Sequence, residues 1–405
     1  MLWALYLSLL PIGQEWLAYG WDTQILETGF LAMMLAPLLD GRPFPRRAPP
    51  VVIIWLFRWL AFRIMLGAGL IKLRGDEVWS MKELSALVYH YETQPVPGPL
   101  SRFFHFLPRW FHQAGCLFNH FVEVVVPWFA FWGRWPRHIA GVLMVGFMGV
   151  LILTGNLSFL NWLTIIPCLA CMDDSLWRRV LPRFITARAE KAAQSAESAS
   201  KGHWVMVLLF TGYVGWWSVE PVRNLISPNQ MMNTSFDPLH LVGSYGAFGS
   251  IDKERYELVF QGAYVEVIDL LTDWKDYEFK AKPTDVMRRP VWITPYHYRL
   301  DWAAWFPWHR YQGGARNAWV PHFLWKLLQN DPATLGLLAQ NPFSDHPPKY
   351  VRVLVYRYRY APADDPSGAW WTRERVETLV PAVSLEHAQL RQIMRENGWM
   401  REESR

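Results

Sequence analysis

Seven apolar stretches crowd the first 220 residues of this 405-residue chain, at 1–12, 25–39, 51–70, 118–132, 139–153, 158–171 and 203–219. The longest reaches the roughly 20 residues a helix needs to cross the hydrocarbon core of a bilayer. Inside lipid, only helices and closed barrels satisfy their own backbone polar groups. This half is therefore expected to be a transmembrane helical bundle of about six to seven spans. Residues 1–12 are short for a span, so they are expected either to be part of a longer helix or to pack obliquely on a neighbour. No basic leader precedes them, so no secretory signal is recognised.

Hydrophobic residues make up 52% of the chain and aromatic residues 16%, and the excess lies before Trp217. The remainder has the mixed polarity of a folded aqueous domain, which divides the chain into a membrane domain, 1–219, and a second domain, 220–405. In the latter, 254–260 and 263–270 are rich in β-branched and aromatic residues and read as a hairpin turning at Gln261-Gly262. The alternation in 350–360, YVRVLVYRYRY, predicts another strand, while 319–328 and 386–396 have helical spacing. The second domain is expected to be β-sandwich-like with attached helices.

A net charge of +5 does not signal nucleic-acid binding, because the basic residues sit in loops between apolar segments. One set of loops holds Arg42, Arg46, Arg47, Arg134, Arg137, Arg178, Arg179, Arg183, Arg188, Lys191 and Lys201; the other holds only Lys72, Arg74, Lys82, Arg102 and Arg109. Basic residues are retained in the cytoplasm. That assigns 172–202 as a cytoplasmic loop, with 187–202 a loose linker rich in Ala and Ser. Loop 71–117 and the whole second domain become exoplasmic.

The polar residues most suited to chemistry gather where the span 51–70 ends. Lys72, Arg74 and Asp76 fall at the lipid-water boundary, followed by His90, Tyr91 and Glu92 and a turn stiffened by Pro95 and Pro97. Within spans, ionisable residues mark pairing or function. Glu27, Arg58, Arg63, His120 and Glu123 are of this kind, with Glu27 expected near Lys72 or Arg74 and with His120 and Glu123 three apart on one helical face. Interhelical pairing is the simpler role for them. Lys72, Arg74, Asp76, His90, Tyr91, Glu92, His120 and Glu123 form one candidate pocket or docking group. Tyr296, His297, Tyr298, Arg299, Asp301 and Trp302 form a candidate surface in the second domain, with His297, Arg299 and Asp301 alternating along a possible strand.

Other motifs carry less. His112, Cys116, His120 and Glu123 have helical spacing, but one straight helix cannot surround a metal, so no metal or cofactor is assigned. Cys168 and Cys171 have redox spacing without a βαβ context and read as buried thiols. Asn233-Thr-Ser is a glycosylation sequon that matters only in a eukaryotic host. The glycines of 241–251 lack the GK[ST] of a phosphate loop and the G-x-S-x-G of a nucleophile elbow, which disfavours a serine hydrolase.

Several long blocks resemble the lipase maturation factor family in the same order: YLSLLPIGQEWLAYGWDTQILETGFLA, GLIKLRGDEVW, HYETQPVPGP, GNLSFLNWLTIIPCLAC, TSFDPLHLVGSYGAFGSI, PYHYRLDWAAWF and NPFSDHPPKYVRVLVYRYRY. The resemblance implies a multi-pass membrane protein whose C-terminal domain assists the folding of secreted lipases. It also implies the endoplasmic reticulum, with that domain in the lumen; in a bacterium the charge-based topology corresponds to the inner membrane and periplasm. Two departures bear on chemistry, Cys116 and Cys168, where the family pattern accommodates an aliphatic residue and serine. The expectation is a chaperone-like factor whose partners are membrane lipids and a client lipase or other exoplasmic protein. The alternative is a membrane enzyme with a polar pocket at the exoplasmic face, drawing on Lys72, Arg74, His90, Glu92, His120 and Glu123.

Overall fold

The computed structural model describes residues 1–36, 41–45, 47–197, 200–308 and 319–400. Arg46 and the end of the apolar stretch 25–39 lie outside the described residues. The chain forms two compact units that exchange segments. The first comprises Met1–Val88, Leu107–Leu153 and Leu157–Ile251; the second comprises Tyr89–Phe106, Thr154–Asn156 and the chain from Asp252 onward.

The first unit is helical. Among the described residues, four helices are long and apolar enough to cross a membrane: Val51–Arg74, Arg109–Phe131, Arg134–Thr154 and Lys201–Ile226. The stretches 1–12, 25–39 and 158–171 are also helical, as Leu2–Gly13, Gly20–Leu35 and Leu160–Leu169, but shorter. Val51–Arg74 is the hub, with most of its length buried against its neighbours. Ile53, Phe57, Leu60 and Ile64 pack with Leu31 and Met34, with Val207, Phe210 and Val214, and with Leu241 and Tyr245. Ala61 and Met65 pack the other way, on Val122, Val126, Met144, Phe147 and the two thiols Cys168 and Cys171.

The arginines of the hub helix find partners at opposite sides. Arg58 donates from Nε to the carbonyl of Ala170 at 2.9 Å, just past the end of Leu160–Leu169, where helical carbonyls lack an internal donor. Arg63 pairs with Glu27 and donates to the Gly243 carbonyl at 2.6 Å. Glu27, expected beside Lys72 or Arg74, is thus taken by Arg63, and it also accepts from the Tyr245 hydroxyl at 2.7 Å. A short ladder, β1 (Thr234–Ser235) with β2 (Gly243–Ser244), completes this unit.

The second unit is strand-rich. β3 (Arg255–Ala263), β4 (Lys275–Asp276), β7 (Tyr350–Tyr360) and β8 (Trp371–Val383) form an antiparallel sheet in the order β4-β3-β7-β8; β5 (Glu278–Phe279) and β6 (Leu338–Gln340) form a separate ladder. The tight hairpin expected at Gln261-Gly262 is absent. β3 continues through both residues, which pair with Arg352 and Val351, and the chain leaves the sheet only after Ala263. Gly262 serves close packing instead, since a Cβ there would strike the ring of Phe343.

Both faces of the sheet are covered at β3, which is buried almost throughout, its charged residues Arg255 and Glu257 included. On one face, Phe260 meets Phe323 of helix Trp319–Leu328 edge-on at 5.0 Å. On the other, Val259, Tyr358, Tyr360 and Trp371 cluster, with Tyr360 stacked on Trp371 at 4.1 Å.

Candidate functional site

The last turn of Val51–Arg74 sends its two cations in different directions. Lys72 is buried, with Nζ 2.7 Å from each carboxylate oxygen of Glu123 and 3.0 Å from Oδ1 of Asn119. Asn119 in turn donates to Glu123 at 2.8 Å, which closes a three-residue network. Arg74 is exposed and donates to Gln230.

Glu123 reaches Lys72 from an irregular piece of helix. After Arg109–His120 the backbone widens into a π-helical turn, Phe121–Val125, then tightens into a 3-10 segment, Val126–Phe131. Pro127 supplies the cause: it has no N–H to give the carbonyl of Glu123, four residues back, so the regular ladder breaks there. His120 and Glu123 consequently take different partners. His120 Nε2 lies 2.8 Å from the carbonyl of Trp79, whose ring also sits under Lys72 at 5.1 Å.

Asp76 ties the end of the hub helix to the segment that precedes Ile251. Its Oδ1 accepts from Val78 N–H, opening the turn Glu77–Trp79; its own N–H donates to the Gly249 carbonyl at 2.9 Å, and Trp79 Nε1 donates to the Phe248 carbonyl at 2.8 Å. Gly75 allows this approach, because a Cβ there would collide with the Gly249 backbone. An open, shallow depression is lined here by Ile71, Gly75, Asp76, Met232, Gly249 and Ser250.

His90, Tyr91 and Glu92 belong to the second unit, in the part of helix Ala86–Thr93 from Tyr89 onward, and all three are buried. Tyr360 donates its N–H to Glu92 Oε2 at 2.7 Å and its hydroxyl to the Tyr91 carbonyl at 3.3 Å, while Trp305 Nε1 donates to the Thr93 carbonyl at 3.0 Å. Burial raises the Glu92 carboxyl above its ordinary value, opposed by the Tyr360 N–H and by the charge of Arg255. His90 lies edge-on to Tyr91 at 5.9 Å.

The group that organises this segment, and that sequence reasoning missed, is Arg255. Its guanidinium, buried, donates to the carbonyls of Glu92, Gln94 and Pro95 and pairs with Glu257. Glu257 also binds Lys282 Nζ at 2.8 Å, and Lys282 donates to the carbonyls of Leu258 and Pro283. The available signal was the spacing of Arg255 and Glu257 in ERYELVF, two apart and so on one face of an otherwise apolar strand.

Of the second candidate group, Tyr296 is 64% exposed and meets Tyr298 edge-on at 5.2 Å; Tyr298 and Arg299 are half-buried. His297, Asp301 and Trp302 are buried. The segment is not a strand: Arg299–Ala303 is a short helix. Asp301 Oδ1 accepts from the N–H groups of Ala281 and Lys282, at 2.6 and 2.9 Å, and burial raises its carboxyl above the ordinary range. Among the described residues, no three His, Cys, Asp or Glu side chains come together as metal ligands.

Comparison with known proteins adds what the geometry leaves open. Residues 1–179 match the lipase maturation factor transmembrane domain, and residues 241–381 match the lipase maturation factor C-terminal domain. The chain is 46% identical to lipase maturation factor 1 of Homo sapiens, over 98% of this chain and 72% of that protein, and 46% identical to that of Bos taurus, over 95% and 71%. It is 28% identical to lipase maturation factor 2 of Xenopus tropicalis, over 98% and 70%. No solved structure matches the chain significantly.

Proposed function

Because the chain belongs to the lipase maturation factor family, we propose that it is a membrane-bound factor that helps lipases reach their active fold. The observation that carries this is the similarity to lipase maturation factor 1 through both units, the apolar helices and the strand-rich part alike. The charge pattern of the loops supports an exoplasmic second domain: the lumen of the endoplasmic reticulum in a eukaryote, the periplasm in a bacterium. In this reading the shorter apolar helices join the four long ones, for about six to seven crossings.

Work on a client is contact chemistry, and we assign it to accessible apolar groups of the second unit. Tyr296 and Tyr298 offer rigid amphipathic rings. Leu270 and Leu271 stand fully exposed on a turn braced by Asp269, whose Oδ1 accepts from the Leu271 N–H at 2.9 Å and the Thr272 hydroxyl at 3.0 Å. Lys72, Asp76 and Glu123 in the first unit and Glu92 in the second then act as supports that keep each unit in shape.

The test is complementation of cells deprived of their own lipase maturation factor. The full chain is expected to restore secretion of active lipase, and a chain lacking residues 252–405 to insert in the membrane without restoring it. Active lipase secreted equally with the truncated chain would overturn the proposal. Leu270→Asp with Leu271→Asp is expected to lower secretion while leaving the protein level unchanged.

A further inference from the structure

Between Leu160–Leu169 and Lys201–Ile226 the chain forms two short surface helices, Asp174–Val180 and Arg183–Gln194, joined at Leu181-Pro182. The second occupies part of what composition suggested was a loose linker. At the joint, three apolar side chains face outward: Val180 and Phe184, each 65% exposed, and Leu181. Around them stand Arg178, Arg179, Arg183, Arg188 and Lys191, all exposed.

Two of the three nearby acids are engaged, while Asp174 at the start of the first helix is exposed. Asp173 caps the first helix through Ser175 and pairs with Arg137 at 2.7 Å and Arg134 at 3.3 Å; Glu190 pairs with Arg178 at 3.1 Å, bracing one helix on the other. Among the described residues, Arg179, Arg183, Arg188 and Lys191 have no carboxylate partner. Arg179 lies instead over the ring of Trp135 at 5.4 Å, and Trp135 opens the membrane-length helix Arg134–Thr154.

We propose that these two helices lie in the plane of the bilayer surface, with Val180, Leu181 and Phe184 among the acyl chains and the four unpaired cations binding anionic phospholipid headgroups. Three observations select a bilayer as the occupant. The pair is covalently held between the short apolar helix Leu160–Leu169 and the membrane-length helix Lys201–Ile226, so a lipid surface is always within reach. Exposed tryptophan at a span terminus marks headgroup depth, which locates Arg179 at that level. Apolar groups flanked by uncompensated cations match an anionic leaflet in both respects.

The test places the full chain in nanodiscs of phosphatidylcholine alone or of phosphatidylcholine with phosphatidylserine, carrying a spin label at Phe184→Cys. Native Cys116, Cys168 and Cys171 are buried. In the anionic discs the label is expected to be more accessible to oxygen than to a water-soluble nickel complex. Phosphatidylserine retained on the protein in native mass spectrometry is expected to fall about fivefold for each of Arg179→Gln, Arg183→Gln and Arg188→Gln. Helix content and thermal unfolding in phosphatidylcholine are expected to be unchanged in these variants, which separates lost lipid binding from lost folding. A label in water in both discs, equal retention of the two lipids, or label-to-label dipolar broadening from a second copy covering the joint would each overturn the proposal.

Discussion

In the helical unit, Arg63 meets Glu27 and Lys72 meets Glu123, one carboxylate for each of these two buried cations. In the strand-rich unit, Arg255 and Lys282 share the single carboxylate of Glu257, and main-chain carbonyls of Glu92, Gln94, Pro95, Leu258 and Pro283 take their other donors. The contrast arises from where free carbonyls exist. Within a helix each carbonyl already accepts an internal bond, so a buried cation needs a side-chain anion. A proline-stiffened segment such as TQPVP has no internal ladder, and its carbonyls remain available. Arg58 fits the same rule, since the carbonyl it uses, Ala170, lies past a helix end.

The most damaging test of this contrast is Arg255→Met. It leaves three carbonyls without their donor and Glu257 with Lys282 alone, and is expected to cost about 3–5 kcal/mol, read as loss of protease resistance in the second unit. Lys72→Met is expected to cost about 3 kcal/mol by stranding Glu123, measured as a drop in unfolding temperature in detergent. Adding Glu123→Leu is expected to recover all but about 1–2 kcal/mol of that loss, the remainder falling on buried Asn119, which loses both partners. No such repair is expected for Arg255 with Glu257, where Lys282 and the carbonyls would stay unsatisfied.

Gly75→Ala is a control without charge: its collision with the Gly249 backbone is expected to cost about 1–3 kcal/mol, seen in the same unfolding assay. The smallest effect is expected for Glu92→Gln, and it depends on pH. Burial raises the Glu92 carboxyl in the folded chain, so folding favours its protonated form. Its stabilising contribution is complete below the unfolded value near 4.5 and is lost as pH rises through the folded value. The native protein should therefore gain stability relative to Glu92→Gln as pH falls from 7 toward 4.5; a pH-independent difference would count against the assignment.

Local patterns disclosed the membrane-length helices and the strand Tyr350–Tyr360, because each depends on a repeating period of apolar residues. They did not disclose the surroundings of His90 to Pro97. There the partners are Arg255 and Tyr360, far along the chain, and a histidine, a tyrosine and a glutamate in sequence look the same whether open to solvent or buried. Gln261-Gly262 misled for a related reason: the pair resembles a turn, while the glycine answers to Phe343, which local sequence does not identify. Glu123 was legible as a charge in a span, but its π-helical setting depends on Pro127 four residues later, and its partner on the hub helix 51 residues earlier.

Residues 89–106 join a unit whose main strands come from beyond Asp252, and this imposes an order on synthesis. Glu92 and the Tyr360 N–H that it accepts are 268 residues apart. At roughly 5–20 residues per second, a ribosome needs on the order of 10–50 s to cover that distance. In that interval three membrane-length helices are made, while the segment HYETQPVP waits first for Arg255, 163 residues after Glu92, and then for Tyr360. A protein proposed to help other chains finish folding thus passes through a long unfinished stage itself, with its own segment HYETQPVP waiting for strands made much later.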